Sequence, residues 1–404
     1  MTERKLRMGM IGGGGNAMIG PIHLRAALME NDIELVCGCF SRNYQTSLAT
    51  GQAWHVPEER IYHDYREMLE KEASLPKGER MDFVTIVTPN KVHYEQAALA
   101  LDLGFDVVLD KPMTFSLEEA LKLQEKVERT GLTLALTHTY SGYPAVKEMK
   151  TRIAEGQLGK LRRVYVEYTQ GWLSQRIELE GGNNAGWRTD PSQSGKGGCI
   201  GDIGTHAWHL SEYVTGEKVV ELCAELNTFV EGRLNDDDAA AFLHYTNGVK
   251  GVLHATQIAA GEENRLSIRV YGEKGGFEWH QMEPNTLTAR WADRPAEIIR
   301  TGNGYMGSLA KWNTRTPGGH PEGYIEAFAN IYRNFAATVR AKAKGETPSP
   351  ECLDFPNVYD GVRGLQFIET MVASGGSKDS KWVSWIKDYG LIQDNSRKAN
   401  DFSL

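Results

Sequence analysis

Cysteine is scarce in this 404-residue chain: Cys37, Cys39, Cys199, Cys223 and Cys352 cannot all pair, and none stands at the spacing of a zinc site. Cys37 and Cys39 flank Gly38 on a predicted strand and read as small buried hydrophobes, which points to reduced thiols. No apolar run is long enough to span a bilayer, and "MTERKLRMGMIG" leads almost directly into a strand without the apolar stretch of a signal peptide. A cytoplasmic protein is expected. An excess of basic residues is missing too: Lys+Arg 45 against Asp+Glu 53 leaves a formal net charge of -8, with the cations scattered. Neither nucleic acid nor an anionic membrane is an expected partner. Internal repeats and low-complexity tracts are likewise absent. What the chain does have is 41% hydrophobic residues over a length suited to two or three domains, enough to bury a large core.

From residue 7 to about 136, short apolar runs alternate with helix-like segments. "RMGMIG", "IELVCGCF", "DFVTIVT", "FDVVLD" and "LTLAL" read as strands, and the stretches around 23–30, 65–71, 93–103 and 117–130 as helices. This alternation predicts an α/β fold whose first domain, residues 1–136, is a doubly wound, mostly parallel sheet. Ser116 and Glu119 form a Ser-x-x-Glu capping box at the start of the last of those helices. After a helix near residues 144–156 the pattern changes to long alternating stretches, two of them folded as hairpins about Asn247-Gly248 and Gly275-Gly276. They predict a second, α+β domain over residues 137–390 with a large, mainly antiparallel open sheet. One face should be covered by helices, the other left to solvent or to an oligomer interface. Late helices follow, and residues 391–404 read as a polar tail.

"MIGGGGNAMIGPIH" joins the first strand to the first helix. Gly12, Gly14 and Ala17 meet the G-x-G-x-x-G/A spacing, in which small residues permit a tight turn and bring backbone N–H groups to a pyrophosphate at a helix N-terminus. The first domain therefore reads as a dinucleotide-binding Rossmann fold, with Gly20 and Pro21 lengthening its turn. The acid that would read the 2'-hydroxyl of NAD at the end of the second strand is missing, and "CFSRN" places Ser41 and Arg42 there. Arg42 suits a 2'-phosphate or is an exposed helix-start residue, so the expected cofactor is NAD or NADP. "TPNKVH" puts Thr88, Pro89, Asn90 and His93 on the cofactor side of the sheet, where His93 also reads as a plain helix-start residue.

Two further motifs carry chemistry. "LDKPMTFSLEEA" sets Asp110, Lys111 and Pro112 at the tip of a buried strand, where open α/β sheets bind ligands. Lys111 is either a solvated loop charge or part of an active site. In "GGCIGDIGTHAWHL", Asp202 and His206 stand four residues apart and share a face if the segment is helical. A carboxylate that orients an imidazole suits acid–base catalysis; a capping Asp and a packed His are the alternative. Ahead of the motif, Trp172, Trp187, Arg188 and Lys196 combine aromatic faces with polar groups, a sugar-binding wall or ordinary core and surface. Arg188 and Lys196 would fit an anionic group.

Together these pieces resemble the glucose-fructose oxidoreductase / inositol dehydrogenase (Gfo/Idh/MocA) family. The resemblance covers most of the chain: the glycine-rich first turn, "VTPNKVH", Asp110-Lys111-Pro112 in place of the family's Glu-Lys-Pro, and "GWRTDPSQSGKGGCIGDIGTH". It implies an NAD(P)-dependent oxidoreductase acting on a secondary hydroxyl of a sugar, sugar derivative or cyclitol, assembled as a homodimer or homotetramer. Asp110 and Lys111 would then lie at the cofactor, and Lys111, Asp202 and His206 would be catalytic. Lys111 would polarise the reacting oxygen, His206 would take the hydroxyl proton, and Asp202 would orient the imidazole. Tyr140, Tyr143 and Tyr168 would join Trp172, Trp187, Arg188, Lys196 and His206 at the substrate. Two other functions fit the same residues. One is an NAD-dependent glycoside hydrolase that oxidises C3 transiently, with His138, Tyr140, or His320 and Glu322 of "GGHPEGY" as extra acid–base groups. The other is a non-catalytic sugar or dinucleotide sensor that keeps the fold.

Overall fold

The computed structural model of the protein describes residues 4–180 and 185–385. The expected polar tail, 391–404, lies outside the described residues. The first unit runs β1 (Leu6–Gly12), α1 (Ile19–Leu28), β2 (Ile33–Cys39), α2 (Tyr44–Ala53), α3 (Tyr65–Ser74), β3 (Phe83–Val87), α4 (His93–Asp102), β4 (Asp106–Leu109), α5 (Leu117–Thr130) and β5 (Leu134–Leu136). Its strands form a parallel sheet in the order β2-β1-β3-β4-β5. All five residues of β3 are buried, as a strand covered on both faces requires.

Sequence periodicity finds every strand of this sheet but misses α2. "YQTSLATGQA" has no apolar stripe, and the helix is announced by its cap instead: Asn43 accepts a hydrogen bond from the Thr46 N–H at 3.0 Å. The capping box of α5 is displaced. Ser116 accepts from the Glu119 N–H at 3.3 Å, but the Glu119 carboxylate reaches past it to the Phe115 N–H at 3.1 Å.

The second unit contains α6 (Pro144–Ala154), β6 (Leu161–Thr169), α7 (Ala185–Arg188), α8 (Pro191–Ser194), a π-helical turn (Ile200–Gly204) and α9 (Thr205–Thr215). Strands β7 (Val219–Asn227), β8 (Asp238–Tyr245), β9 (Lys250–Thr256), β10 (Arg265–Gly272), β11 (Gly275–His280), β12 (Thr286–Trp291) and β13 (Glu297–Arg300) follow. The described chain closes with α10 (Ser308–Trp312), α11 (Tyr324–Ala343), α12 (Val358–Gly376) and β14 (Trp382–Ser384). Nine strands form one sheet, β13-β12-β11-β10-β6-β9-β8-β7-β14, antiparallel throughout except for the parallel pair β6 and β9. Burial alternates along β8, so one face of the sheet meets helices while the other carries exposed Phe242.

The β8–β9 hairpin turns at Asn247 and Gly248, both with positive φ, as the sequence predicts. The second hairpin turns two residues earlier than expected, through residues 273–274, whose N–H groups bond to the Lys160 and Leu158 carbonyls at 3.1 and 3.0 Å. Gly275 and Gly276 belong to β11. They are small because a Cβ would lie 2.3 Å from the Arg290 carbonyl oxygen at the first position and 2.5 Å from the Tyr271 ring at the second.

The boundary near residue 137 separates the two sheets but not their covering layers. Helix α11, late in the sequence, packs on the first sheet: Phe335 meets Phe83 edge-on at 5.1 Å, and the Tyr332 hydroxyl lies 2.7 Å from His23 Nδ1 on α1. The chain at 356–357 also borders β5, where the Leu136 N–H donates to the Pro356 carbonyl at 2.8 Å. The C-terminal ends of β4 and β5 are thereby fixed against the second unit, and the site forms at that junction.

Candidate active site

The chain leaves β1 into the glycine turn between neighbours β2 and β3, the point at which strand order reverses. Gly12, Gly13 and Gly15 have φ of 84°, 81° and 64°, a region side chains disfavour. A Cβ on Gly20 would stand 2.0 Å from the Gly13 carbonyl oxygen, so turn and helix touch backbone to backbone. Gly14 binds the end of β2 through its N–H and the Phe40 carbonyl at 2.9 Å. Gly12 and Gly14 thus lie in the turn, Ala17 precedes α1, and the close contact of helix with turn is made by Gly20 because the longer turn delays α1. Helix α1 has no side-chain cap and no acid in its first turn, leaving its N-terminal N–H groups to an anion.

Ser41 and Arg42 follow β2 beside this turn. Ser41 accepts from the Asn43 N–H at 3.1 Å, and Arg42 is exposed. The β3 loop forms the adjoining rim, with Thr88 and Pro89 leading to Asn90. Asn90 is only 4% exposed, and it donates to the Ser194 carbonyl at 3.2 Å while its Oδ1 has no protein partner. A buried acceptor left open on this rim, next to an uncapped helix and a side-chain-free turn, fits a dinucleotide. His93 does not join that face. Its ring is buried, with Nε2 2.7 Å from the Thr88 carbonyl and Nδ1 3.0 Å from the Pro112 carbonyl, so it ties the two loops together from behind. Asp110 is likewise turned to its own backbone, accepting from the Lys111 N–H and the Thr137 hydroxyl, both at 2.8 Å.

Lys111 reaches across the junction. Its Nζ donates to Asp202 Oδ1 at 2.8 Å and to the Asp202 carbonyl at 2.7 Å. The other carboxylate oxygen accepts from Gln257 Nε2 at 2.9 Å and faces Arg188 Nε at 3.4 Å. Burial pushes the Asp202 carboxyl upward, but Lys111 and then Arg188 overcome it and hold the group well below the usual carboxylate range. The π-helical turn carries Asp202 and leads straight into α9, which carries His206. No hydrogen bond joins the two side chains among the described residues, because Lys111, Gln257 and Arg188 already surround the carboxylate. His206 instead has its Nδ1 3.4 Å from His138 Nδ1, with Tyr140 edge-on at 5.0 Å. Burial, then the Lys111 charge, keeps its pKa well below an ordinary imidazole's, Asp202 opposing. The expected arrangement of Asp202 orienting His206 is therefore replaced by Asp202 anchoring Lys111.

Asp236 fixes the segment that carries both residues. Its carboxylate accepts from the Gly198 and Ile200 N–H groups at 2.7 and 2.8 Å. Gly198 has to be glycine, since a Cβ would lie 2.3 Å from the Asp236 carbonyl oxygen.

Around this centre the other expected residues divide. Tyr140 and Tyr168 share a short hydroxyl contact and meet Asn264, which accepts from Tyr168 at 2.7 Å. Arg188 stacks over Trp187 at 4.3 Å and lies 6.0 Å from the Trp172 ring. Trp172 donates to Gln170 at 3.0 Å. Tyr143 does not reach the site: it is 1% exposed and packs on Trp279 at 5.3 Å. Lys196 is an exposed charge paired with Glu369 of α12 at 3.4 Å. His320 is exposed, and Glu322 is turned into its own loop, accepting from the Thr316 N–H at 2.7 Å. Sequence reasoning missed the amides Gln170, Gln257 and Asn264. They flank the central strands β6, β9 and β10 at the same end, because β6 and β9 are parallel and β10 runs against them. Polar residues at strand ends read as loop, and only the parallel pairing reveals that they converge.

Among the described residues no group of His, Cys, Asp and Glu is arranged to hold a metal ion, and no helix is long and apolar enough to cross a membrane. Residues 6–138 match a family model described as an oxidoreductase family with an NAD-binding Rossmann fold, and residues 146–278 match the GFO/IDH/MocA C-terminal domain. The oxidoreductase YfiI of Bacillus subtilis is 31% identical over 95% of this chain and 98% of its own. Levoglucosan dehydrogenase of Pseudarthrobacter phenanthrenivorans is 25% identical over 74% of this chain and 79% of its own. Among solved structures, an inositol dehydrogenase homolog from Azotobacter vinelandii, complexed with NADH and myo-inositol, superposes with a TM-score of 0.88 at 31% identity, covering 95% of this chain and 98% of that one.

Proposed function

The chain belongs to the Gfo/Idh/MocA oxidoreductase family, and from that premise we propose that it is an NAD(P)-dependent dehydrogenase of a secondary hydroxyl on a sugar, sugar derivative or cyclitol. The observation that carries this reading is the Lys111–Asp202 pair, held at the tip of β4 with His206 in the following helix and the dinucleotide crevice on its other side. Bound in that crevice by the glycine turn, the start of α1 and the Thr88–Asn90 rim, the dinucleotide supplies the hydride acceptor. The chain's own residues handle the proton. His206 Nε2, which has no partner among the described residues, takes it from the substrate hydroxyl. Lys111, with two of its three N–H groups committed to Asp202, keeps the third for the reacting oxygen. Asp202 holds that ammonium in place. Gln170, Gln257 and Asn264 offer amide donors and acceptors to neighbouring hydroxyls, while Trp172 and Trp187 offer ring faces, a combination suited to a polyhydroxylated ring.

The glycosidase reading keeps His138 and Tyr140 near His206 but loses His320 and Glu322 to the surface and to a loop. The sensor reading has no use for a buried ammonium–carboxylate pair, whose desolvation is costly. The test is a screen of inositols and free sugars for nicotinamide reduction with NAD and with NADP, followed by Lys111→Ala and His206→Ala. Each variant is expected to lose at least about a hundredfold in turnover while still binding dinucleotide. Near-wild-type turnover in either would overturn its assigned role.

A further inference from the structure

We propose that His138 is a positioning residue that holds His206 in the tautomer with its proton on Nδ1, leaving the Nε2 lone pair to receive the substrate proton. The inference rests on the reading of His206 as proton acceptor. A hydrogen bond between the two Nδ1 atoms, which lie 3.4 Å apart, needs one nitrogen to donate and the other to accept. His138 is well fixed for the accepting part. It follows β5 directly, its carbonyl accepts from the Ser141 hydroxyl at 2.9 Å, and its ring stacks on His209 at 4.4 Å with an interplanar angle of 9°. Its plane stands at 88° to that of His206, with the ring centroids 5.2 Å apart.

Electrostatics choose between the two donor assignments. The groups acting on the His206 ring are Lys111 of the β4 tip, Asp202 of the π-helical turn, His209 on α9, and the neutral Tyr140, Tyr168 and His138. With Asp202 bound to Lys111, the cation favours a lone pair over an N–H on the remaining ring nitrogen. Nδ1–H therefore donates to His138, and His138 carries its own proton on Nε2. A carboxylate in the place of His138 would also stabilise the imidazolium; a neutral imidazole sets the tautomer without holding the proton. His206 then accepts the hydroxyl proton and gives it up readily.

Two variants and one spectrum test this. His138→Phe keeps a flat ring against His209 and removes the acceptor, whereas His138→Asn can place Oδ1 near the lost nitrogen. Phe is expected to lower kcat about thirtyfold or more with KM and dinucleotide affinity unchanged and the acidic limb of the kcat profile displaced; Asn should recover most of the loss. Long-range proton–nitrogen correlation spectra of protein labelled with 15N-histidine, assigned through His206→Gln, read the tautomer directly. The wild type should show His206 protonated on Nδ1, and His138→Phe should move it toward Nε2. A wild-type Nε2–H tautomer would overturn the proposal, as would a tautomer unaffected by His138→Phe, even with turnover lost. If no polyol is oxidised, the dehydrogenase reading falls, while the spectra still decide the role of His138.

Discussion

At the scale of single residues, the site is an economy of three charges. Asp202 is shared between Lys111 and Arg188, so Asp202→Asn leaves two cations without their counter-charge in a buried place. It should cost about 3–5 kcal/mol of stability, read from thermal unfolding, as well as most of the turnover. Arg42 offers a separate test at the β2 tip. If it receives a 2'-phosphate, Arg42→Ala lowers NADP affinity about tenfold and leaves NAD affinity nearly unchanged, which fluorescence titration with both dinucleotides measures. Lys111, Asp202 and His206 stand out in the sequence because two short motifs carry them, and the structure brings all three to one junction. Their pairing does not stand out, since spacing along one helix suggests Asp202 with His206, while the partner that wins comes from 91 residues away. Tyr143 and Lys196 failed for a related reason: a residue type says what a side chain can bind, not which way it faces.

Elements deliver these residues. The start of α1 rests on Gly13 through Gly20, so Gly20→Ala should push helix and turn apart. Dinucleotide affinity is expected to fall by tenfold or more, with a smaller loss of stability, a split that titration and unfolding on the same sample will reveal. Helix α9 is anchored at its other end by Glu212, which is buried and accepts from Arg363 at 2.5 and 2.9 Å, from Trp208 and from the Val219 N–H. Burial opposes its charge, but Lys218 and Arg363 bring its pKa from 4.5 down to about 2. A carboxyl depressed in the folded state stabilises the fold fully above its unfolded pKa, and that contribution disappears as pH falls through the folded one. Glu212→Gln should therefore lower stability near neutral pH by about 3 kcal/mol and flatten the loss that wild type suffers between about pH 4.5 and 2. Denaturant melts across that range would show an unchanged slope if the idea is wrong. Strands β1 to β11 are readable from alternation and turn residues; the short β12, β13 and β14 are not, and α2 is hidden because a cap rather than an apolar stripe defines it.

On the scale of the whole molecule, the order of the two sheets follows from the switch between repeated strand–helix units and long alternating stretches. What alternation cannot show is what lies on the outer face of the large sheet. Phe242 is 58% exposed there, and Tyr165 and Trp382 are exposed as well. Apolar groups on a broad flat face suit a second copy of the chain related by a twofold axis. Light scattering is expected to give a dimer or tetramer, and Phe242→Glu should shift the mass toward the monomer; an unchanged mass places the contact elsewhere.

The return of α11 to the first sheet also bears on how the chain is born. Phe328, Tyr332 and Phe335 are buried, and Phe335 seats against Phe83 of β3. A ribosome that has released β1 to β5 has therefore not yet delivered one layer of their packing, which arrives only with residues 324–343. Until then the nascent sheet carries an open apolar side, through all the time needed to synthesise the second sheet. The packing of the amino-terminal half is thus completed from the carboxyl-terminal side, and a fragment stopped at residue 136 is expected to expose that apolar side.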